Sequence, residues 1–231
     1  MKTIGLIGGM SWESSAEYYR IINQEVSRRL GPPHSAQILM YSVDFGQLER
    51  LQSSGRWDEA GALMADAALR LERGGADFIL ICANTMHKSI DAMRAAVRTP
   101  ILHIVDPTAG AVRARNINKV GLLGTRYTME ETFYTARLEQ NFGLQVLVPD
   151  AAGREVVHRV IFDELVSGII NPASRQAYRM VMAQLAQQGA EGIIFGCTEI
   201  CLLVTAEDSP LPVFDTTRLH ALAAVDEALK A

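Results

Sequence analysis

The sequence repeats itself in its second half, and this internal repeat constrains the fold more than any other feature. Gly75–Thr85, which reads GADFILICANT, aligns without a gap with Gly189–Glu199, which reads GAEGIIFGCTE, at an offset of 114 residues (189 − 75). A shorter match occurs earlier in each copy, between Gly5–Gly8 and Gly121–Gly124. A repeat period this long predicts two domain-sized halves of similar fold rather than a solenoid.

Short apolar runs alternate with helical stretches in both halves, and this alternation predicts the fold class. The runs are rich in β-branched residues and are too short for buried helices, so we predict strands. Strands that alternate with helices form parallel sheets with helices on both faces. We therefore predict an α/β protein with two pseudo-symmetric domains, each a parallel sheet flanked by helices, and an active site in the cleft between them. The predicted strands are Thr3–Gly8, Gln37–Val43, Phe78–Cys82, Pro100–Val105, Lys119–Gly124, Gln145–Val148, Ile193–Phe195 and Leu211–Phe214.

Apolar spacing and capping signals predict the helices between these strands. Ser14-x-x-Glu17 and Thr128-x-x-Glu131, another match at the 114-residue offset, both fit a helix capping box. The stretch from Asp44 to Gly55 is polar and irregular, so we predict an active-site loop there. The predicted helices are Glu13–Leu30, Trp57–Arg73, His87–Val97, Glu130–Asn141, Glu155–Ile169, a helix that starts at Asn171-Pro172, and Thr216–Lys230.

The predicted domain boundaries follow from the repeat and from a further similarity near the C-terminus. The last strand and helix resemble Pro100–Arg113, the strand and helix that end the first copy. We therefore expect this terminal segment to pack back on the first half. The predicted domains are residues 1–105 together with 211–231, and residues 106–210.

Composition and charge exclude several classes of function. A formal net charge of −4 and a pI near 5.8 show no excess of basic residues that would attract nucleic acid, so we expect no nucleic-acid partner. No uncharged run reaches the ~18 residues of a membrane span, and Trp12 and Glu13 interrupt the apolar start too early for a signal peptide. The three cysteines form no metal-like pair, and the early glycines do not form a dinucleotide-binding motif. We expect a cytoplasmic protein with free thiols, no metal and no cofactor.

The residues that follow the two repeated strands are the candidate catalytic residues. Ligands of α/β sheets bind beyond the carboxyl ends of the strands, and the repeat places Ala83 and Cys197 at equivalent positions there. A small molecule held between the two strand ends would meet position 83 on one side and Cys197 on the other. A thiol suits proton transfer because nearby dipoles can lower its pKa from ~8.5. We expect the helix N-termini after both strands to supply such dipoles.

These motifs resemble the aspartate/glutamate racemase family, and among its members the broad-specificity amino-acid racemases. The resemblance runs from the opening Ile4–Ser11 through Asn84–His87 and Gly196–Glu199 to the end of the chain. It implies an amino-acid substrate, racemisation without pyridoxal phosphate, and a homodimer. In that family two cysteines, one in each half, exchange the α-proton from opposite faces. The implied site residues are Cys197 and position 83 for catalysis, and Met10, Ser11, Gln52, Asn84, Thr85, Thr198 and Glu199 for substrate binding.

Ala83 departs from the family pattern, whose first motif is Cys-Asn-Thr. Close relatives carry threonine at this position, which can still relay a proton, whereas alanine cannot. Cys82 is the neighbouring thiol, but successive strand side chains point to opposite faces, so we expect Cys82 to lie in the core. Ala83 is either an engineered replacement or a natural variant with one cysteine. In both cases we expect slow racemisation, with α-proton exchange through Cys197 on one face of the substrate.

Four further residues have alternative roles at this point. Glu199 binds a substrate ammonium, orients Cys197 or caps the following helix. His87 either assists the first base, as in some family members, or is an ordinary polar helix residue. Arg126 either holds a carboxylate or lies on the surface. Glu164 lies in a stretch where members that act on acidic substrates offer a lysine, which implies a broader or neutral amino-acid substrate.

Two other functions remain open. A cofactor-free decarboxylase of the same superfamily resembles this chain because it keeps only the second cysteine and has a small residue at the first position. A non-catalytic amino-acid sensor is the other alternative, which Ala83 favours and the intact second motif disfavours. Release of carbon dioxide from a malonate derivative identifies the decarboxylase, and ligand binding without α-proton exchange identifies the sensor.

Overall fold

The computed structural model describes residues 1–230, along which strands and helices alternate. The strands are β1 (Ile4–Gly8), β2 (Ile38–Ser42), β3 (Phe78–Ile81), β4 (Ile101–Leu102), β5 (Lys119–Gly124), β6 (Gln145–Leu147), β7 (Gly192–Gly196) and β8 (Val213–Asp215). The helices are α1 (Trp12–Leu30), α2 (Phe45–Ser53), α3 (Trp57–Arg73), α4 (Ile90–Ala96), α5 (Val105–Arg113), α6 (Arg126–Glu130), α7 (Thr132–Phe142), α8 (Ala151–Asp163), α9 (Pro172–Gln187), α10 (Ile200–Leu203) and α11 (Thr216–Ala228). Short 3₁₀ helices cover Thr85–Ser89, Leu165–Ser167 and Ala206–Asp208.

The strands form two parallel four-stranded sheets with the same strand order. The first sheet is β2-β1-β3-β4 and the second is β6-β5-β7-β8. The register repeats as well, because Leu6 pairs with Leu80 in the first sheet and Leu122 pairs with Ile194 in the second. The predicted α/β fold with two parallel sheets flanked by helices is therefore confirmed, and each of the eight predicted strands is present.

The first compact unit consists of Met1–Ile104 and the chain from His220 onwards. Its sheet is covered on one face by α1 and the end of α11, and on the other face by α2, α3 and α4. Side chains of β3 alternate between these layers, so that Leu80 and Cys82 face α1 whereas Ile81 and Ala83 face α3. The two neighbouring motif residues, Cys82 and Ala83, thus lie on opposite faces of the sheet.

The second compact unit consists of Val105–Leu219. One face of its sheet packs against α8 and α9, and this cluster includes Phe195 of β7 and Cys197 just beyond it. We predicted that residues 211–231 belong to the first half, but β8 pairs with β7 and so lies in the second sheet. The physical reason is that β8 forms hydrogen bonds with β7 at the edge of the second sheet, in the position that β4 takes beside β3 in the first sheet. Only the part of α11 from His220 belongs to the first unit.

Two local predictions were also wrong. The predicted loop from Asp44 to Gly55 is mostly the helix α2, whose N-cap Asp44 accepts a hydrogen bond from the amide of Gly46 at 3.0 Å. Leu48 and Leu51 of this helix are buried, so the helix has a narrow apolar face that packs into the core. The N-caps of α1 and α6 are Ser11 and Thr125, three residues before the predicted caps Ser14 and Thr128. The observed caps are also separated by 114 residues (125 − 11).

The helices of residues 1–230 do not meet the requirements of a membrane span. None of them combines the length and the hydropathy needed to cross a bilayer. In the same residues no group of three or more histidine, cysteine, aspartate and glutamate side chains is arranged to hold a metal ion.

Candidate functional site

Cys197 follows the last residue of β7 and is buried, with 8% of its surface exposed. Its Sγ donates a hydrogen bond to Oε2 of Glu199 at 2.9 Å, and the hydroxyl of Thr198 donates to the same oxygen at 2.7 Å. Glu199 is itself buried, and its side chain makes no capping bond to α10. Of the three roles considered for Glu199, the geometry therefore supports orienting Cys197.

The environment of Cys197 favours the protonated thiol. Burial raises the pKa of Cys197 well above its usual value, and the negative charge of Glu199 and its hydrogen bond raise it further. We expected a helix dipole to lower this pKa, and that expectation was wrong. The helix after β7 has only four residues, so its dipole is small, whereas a carboxylate lies within hydrogen-bond distance of the sulfur.

Tyr178 and Glu164 border the cluster around Cys197. Tyr178 is fully buried on α9 and donates a hydrogen bond to the carbonyl of Val157 at 2.9 Å. Burial raises its pKa well above the usual value, and the carboxylates of Glu164 and Glu199 act in the same direction. Sequence reasoning missed Tyr178, because an aromatic residue on the buried face of a helix gives only the signal of an ordinary core residue.

In the first unit three of the predicted site positions lie in or bond to one large apolar cluster. Ala83 and Met10 are buried in the same apolar cluster as Met86. Nε2 of Gln52, on the buried side of α2, donates to Sδ of Met86 at 3.0 Å. Asn84 is buried directly after Ala83, and Thr85 begins the 3₁₀ helix. Met10 and Ala83 therefore belong to one apolar cluster, and Gln52 bonds to Met86 of the same cluster.

Ser11 has a structural task at the turn between β1 and α1. It is the N-cap of α1, and its hydroxyl accepts from the amide of Ser14 at 3.4 Å. Its carbonyl accepts from the hydroxyl of Ser15 at 2.9 Å, and that hydroxyl accepts from the amide of Gly9 at 2.8 Å. Gly9 has φ +93°, and a Cβ there would lie 2.2 Å from the carbonyl oxygen of Val43. The turn that carries Met10 and Ser11 therefore requires glycine at position 9.

His87 is buried and bonds to backbone groups through both ring nitrogens, which differs from both roles considered for it. The backbone amide of Ile104 donates to its Nε2 at 3.2 Å, and Nδ1 lies 2.9 Å from the carbonyl oxygen of Ala83. Because an amide can only donate, Nε2 is unprotonated and Nδ1 carries the proton. Burial lowers the pKa of His87 well below its usual value, and the neighbouring His103 and His220 lower it further. A neutral imidazole with both nitrogens engaged holds the backbone of residue 83 but is not available to assist a base.

Two alternatives from the sequence are decided by these surroundings. Cys82 is fully buried and burial raises its pKa, so the interpretation of Cys82 as a core thiol is confirmed. Arg126 has 49% of its side chain exposed and lies 4.0 Å from a carboxylate oxygen of Glu155. This favours the surface alternative for Arg126.

The chain is similar to several proteins along most of its length. A family model described as Asp/Glu/Hydantoin racemase matches residues 7–224. A crystal structure from Yersinia pestis, provisionally described as an Asp/Glu racemase, is 54% identical, with both chains covered in full and a TM-score of 0.93. An aspartate racemase homologue from Pyrococcus horikoshii is 33% identical, again with full coverage of both chains and a TM-score of 0.83. The broad specificity amino-acid racemase RacX of Bacillus subtilis is 27% identical over 179 residues, 74% of each chain.

Proposed function

This chain belongs to the Asp/Glu/Hydantoin racemase family, and from this premise we propose that it exchanges the α-proton of an amino acid through Cys197. The observation that carries the proposal is the hydrogen bond from Sγ of Cys197 to the carboxylate of Glu199, in a buried position directly after β7. A thiol bonded to a carboxylate has both a proton to give and a group to receive it. No cofactor is needed for such an exchange.

The proposed step begins with the resting thiol. Cys197 passes its proton to Oε2 of Glu199, and the resulting thiolate removes the α-proton of the substrate, whose C–H electron pair remains on the α-carbon as a carbanion. Return of a proton from the Cys197 thiol to the same face restores the substrate. If the thiol has meanwhile exchanged with solvent, the substrate gains solvent hydrogen without inversion.

Inversion requires a proton donor on the opposite face, and the proposal assigns that place to position 83. Ala83 has no exchangeable proton, so the chain as it stands completes only the half-reaction at Cys197. One missing acid–base group typically costs ~10²–10⁴-fold in rate. Asn84, Thr85 and Thr198 are proposed to donate hydrogen bonds to the substrate carboxylate.

Proton NMR of L-amino acids in D₂O tests the proposal. The chain, Cys197→Ser and Ala83→Cys are incubated with aspartate, glutamate and several neutral and basic amino acids. We expect slow loss of the α-proton signal with the unaltered chain, no loss with Cys197→Ser, and faster loss together with formation of the D-enantiomer with Ala83→Cys. The gain from Ala83→Cys should be of the order of 10²-fold or more.

Ligand-binding and carbon dioxide measurements on the same variants distinguish the alternatives. Ligand binding without exchange in both the chain and Ala83→Cys would replace the racemase proposal by the sensor. Release of carbon dioxide from a malonate derivative, dependent on Cys197, would replace it by the decarboxylase. Exchange that survives in Cys197→Ser would remove Cys197 from its proposed role.

A further inference from the structure

Cys201 is a second thiol beside the one that the proposed reaction uses. It lies on α10, four residues after Cys197, and is partly exposed, whereas Cys197 is buried. Cys201 packs against the same apolar cluster that contains Cys197. The proposed reaction gives this second thiol no role, so its chemistry is a separate question.

Hydrogen-bonded turns hold the two cysteines one helical turn apart. The amide of Ile200 donates to the carbonyl of Cys197 at 3.3 Å, and the amide of Leu202 donates to the carbonyl of Glu199 at 2.9 Å. Residues four apart along a helical turn lie on the same face, with ~6 Å between their Cα atoms. Disulfides form at Cα separations of about 4.4–6.8 Å, so this spacing suits a bond between Cys197 and Cys201.

The internal repeat indicates which way the side chain of Cys201 points. At the offset of 114 residues Cys197 corresponds to Ala83, and Cys201 corresponds to His87. His87 turns back towards the end of its strand, because its Nδ1 lies 2.9 Å from the carbonyl oxygen of Ala83. The equivalent side chain at position 201 turns back towards Cys197. The pKa of Cys197 agrees with this orientation, since burial is the main cause of its rise and the nearby Cys201 adds to it.

We propose that Cys197 and Cys201 form a reversible disulfide when a hydroperoxide oxidises the protein, which makes residues 197–201 a thiol modification site. The peroxide reaches the partly exposed Cys201 first, its O–O bond breaks, and the thiol becomes a sulfenic acid while water leaves. The sulfur of Cys197 then attacks the sulfenic sulfur and forms the S–S bond. The displaced hydroxide leaves as water with the proton of the Cys197 thiol. In total two thiols are oxidised by the loss of two hydrogens, and one peroxide is reduced to two waters.

This disulfide removes the thiol that the proposed reaction needs. Exchange of the α-proton through Cys197 stops while the bond is present and returns when a thiol reductant opens it. In the disulfide Cys197 is also protected from further oxidation to the irreversible sulfinic and sulfonic acids. The effect on exchange rests on the proposed function, whereas formation of the disulfide does not.

Peptide mapping of the peroxide-treated protein tests the inference. The folded chain is incubated with hydrogen peroxide and then unfolded in urea with N-ethylmaleimide, which caps the remaining thiols. Glu199 lies between the two cysteines, so cleavage after glutamate without reductant separates residues 192–199 from residues 200–207. We expect these two peptides to be joined by a disulfide, and Cys82 to be recovered as its maleimide adduct. Dithiothreitol should separate the peptides and restore α-proton exchange.

Matched variants make the result specific to this pair. Cys201→Ser removes the first target of the peroxide and should give no linked peptides. This variant should retain its α-proton exchange at a peroxide concentration that stops exchange in the unaltered chain, because Cys197 is buried and protonated. Cys82→Ala leaves the pair intact and should still give the linked peptides.

Three results would overturn the inference. They are oxidation of Cys201 to sulfenic or sulfinic acid without a bond to Cys197, a disulfide that joins Cys82 or two separate chains, and recovery of Cys197 and Cys201 as maleimide adducts at a peroxide concentration that oxidises free cysteine. Failure of the proposed function is a separate outcome, because it appears as absence of α-proton exchange before any oxidant is added, whatever the peptide map.

Discussion

Sγ of Cys197 and Oε2 of Glu199 lie 2.9 Å apart, with the sulfur as hydrogen-bond donor. The carboxylate oxygen also accepts from the hydroxyl of Thr198 at 2.7 Å, so three consecutive residues fix one small network. Burial and the charge of Glu199 hold the pKa of the thiol high, which keeps Cys197 protonated at neutral pH. In the proposed reaction the thiol therefore becomes a base only when Glu199 takes its proton.

Replacement of Glu199 by glutamine separates thiol reactivity from catalysis. Glu199→Gln removes the negative charge that raises the pKa of Cys197, so this pKa should fall. Alkylation of Cys197 by iodoacetamide at a pH of about 7.5 should become several-fold faster, because the thiolate is the nucleophile. The α-proton exchange measured in Ala83→Cys should fall by ~10²–10⁴-fold, since the acceptor of the thiol proton is lost.

Peptide mass spectrometry after alkylation measures this prediction for each cysteine. Cys82 is fully buried and serves as the internal reference that stays unmodified in the folded protein. Thr198→Val is the matched control, because it removes the hydrogen bond from the Thr198 hydroxyl to Glu199 but keeps the charge. Slower alkylation in Glu199→Gln would show that the carboxylate activates the thiol in the resting protein.

The neutral state of His87 predicts how the stability of the first unit depends on pH. The folded pKa of His87 is well below its usual value, whereas the unfolded chain has the usual pKa of ~6.5. Above pH ~6.5 His87 is neutral in both the folded and the unfolded chain, so its contribution to stability is fully present. As the pH falls below ~6.5, only the unfolded chain gains the proton, and this contribution is lost. His87 should therefore lower the free energy of unfolding by up to about 1.4 kcal/mol per pH unit in this range, and His158, whose pKa is also lowered by burial, adds to the slope.

Urea unfolding between about pH 5 and 8 checks the contribution of His87. His87→Gln retains a donor for the carbonyl of Ala83 but does not titrate, so it should flatten the pH dependence. His34→Gln changes an exposed histidine and should not flatten it. Glu25, whose pKa is lowered to about 2 by its bonds to Arg28 and Arg29, acts at lower pH and does not interfere. An unchanged slope in His87→Gln would contradict the assigned tautomer and its burial.

Asp208 is expected to contribute more to the stability of the second unit than an exposed aspartate in a similar ion pair. Its side chain is fully buried and bonds to both Arg175 and Arg179, which hold its pKa well below the usual value. Asp208→Asn should cost about 1.5–3 kcal/mol, the range for hydrogen bonds to a charged group, because the arginines it leaves are 43% and 47% exposed and regain water. Asp66→Asn breaks the exposed pair with Arg70 and should cost ~0.5 kcal/mol or less. Equal midpoints of urea unfolding for the two variants would contradict this assignment.

The repeat made the fold predictable, because it is a long-range signal that does not depend on local propensity. Residues of β3 and β7 align at the offset of 114, and their pairing with β1 and β5 follows the same register. The opposite orientation of Cys82 and Ala83 followed from the two-residue period of a strand. Both results needed only the sequence pattern and the geometry of a parallel sheet.

The remaining features depend on contacts that a local pattern does not contain. Asp44 to Gly55 is polar overall, so the sequence predicts a loop where the structure has the helix α2, whose few buried residues include Leu48 and Leu51. The pKa of Cys197 depends on where the carboxylate of Glu199 points, and the motif alone fits more than one orientation of it. The tautomer of His87 depends on the amide of Ile104, seventeen residues further along the chain. Tertiary placement of polar groups, rather than their identity, decided these points.

Gly9 should tolerate alanine less well than another glycine with positive φ. At Gly9 a Cβ would lie 2.2 Å from the carbonyl oxygen of Val43, in addition to the unfavourable φ of +93°. Gly143 at the end of α7 has φ +63°, and a Cβ there would meet nothing within 4 Å, so alanine at this position meets only the backbone strain. We expect Gly143→Ala to cost about 1 kcal/mol and Gly9→Ala about 3 kcal/mol or more, measured as free energies of urea unfolding. Equal costs would mean that the turn between β1 and α1 moves away from Val43, and the positions of Met10 and Ser11 in the candidate site would then move with it.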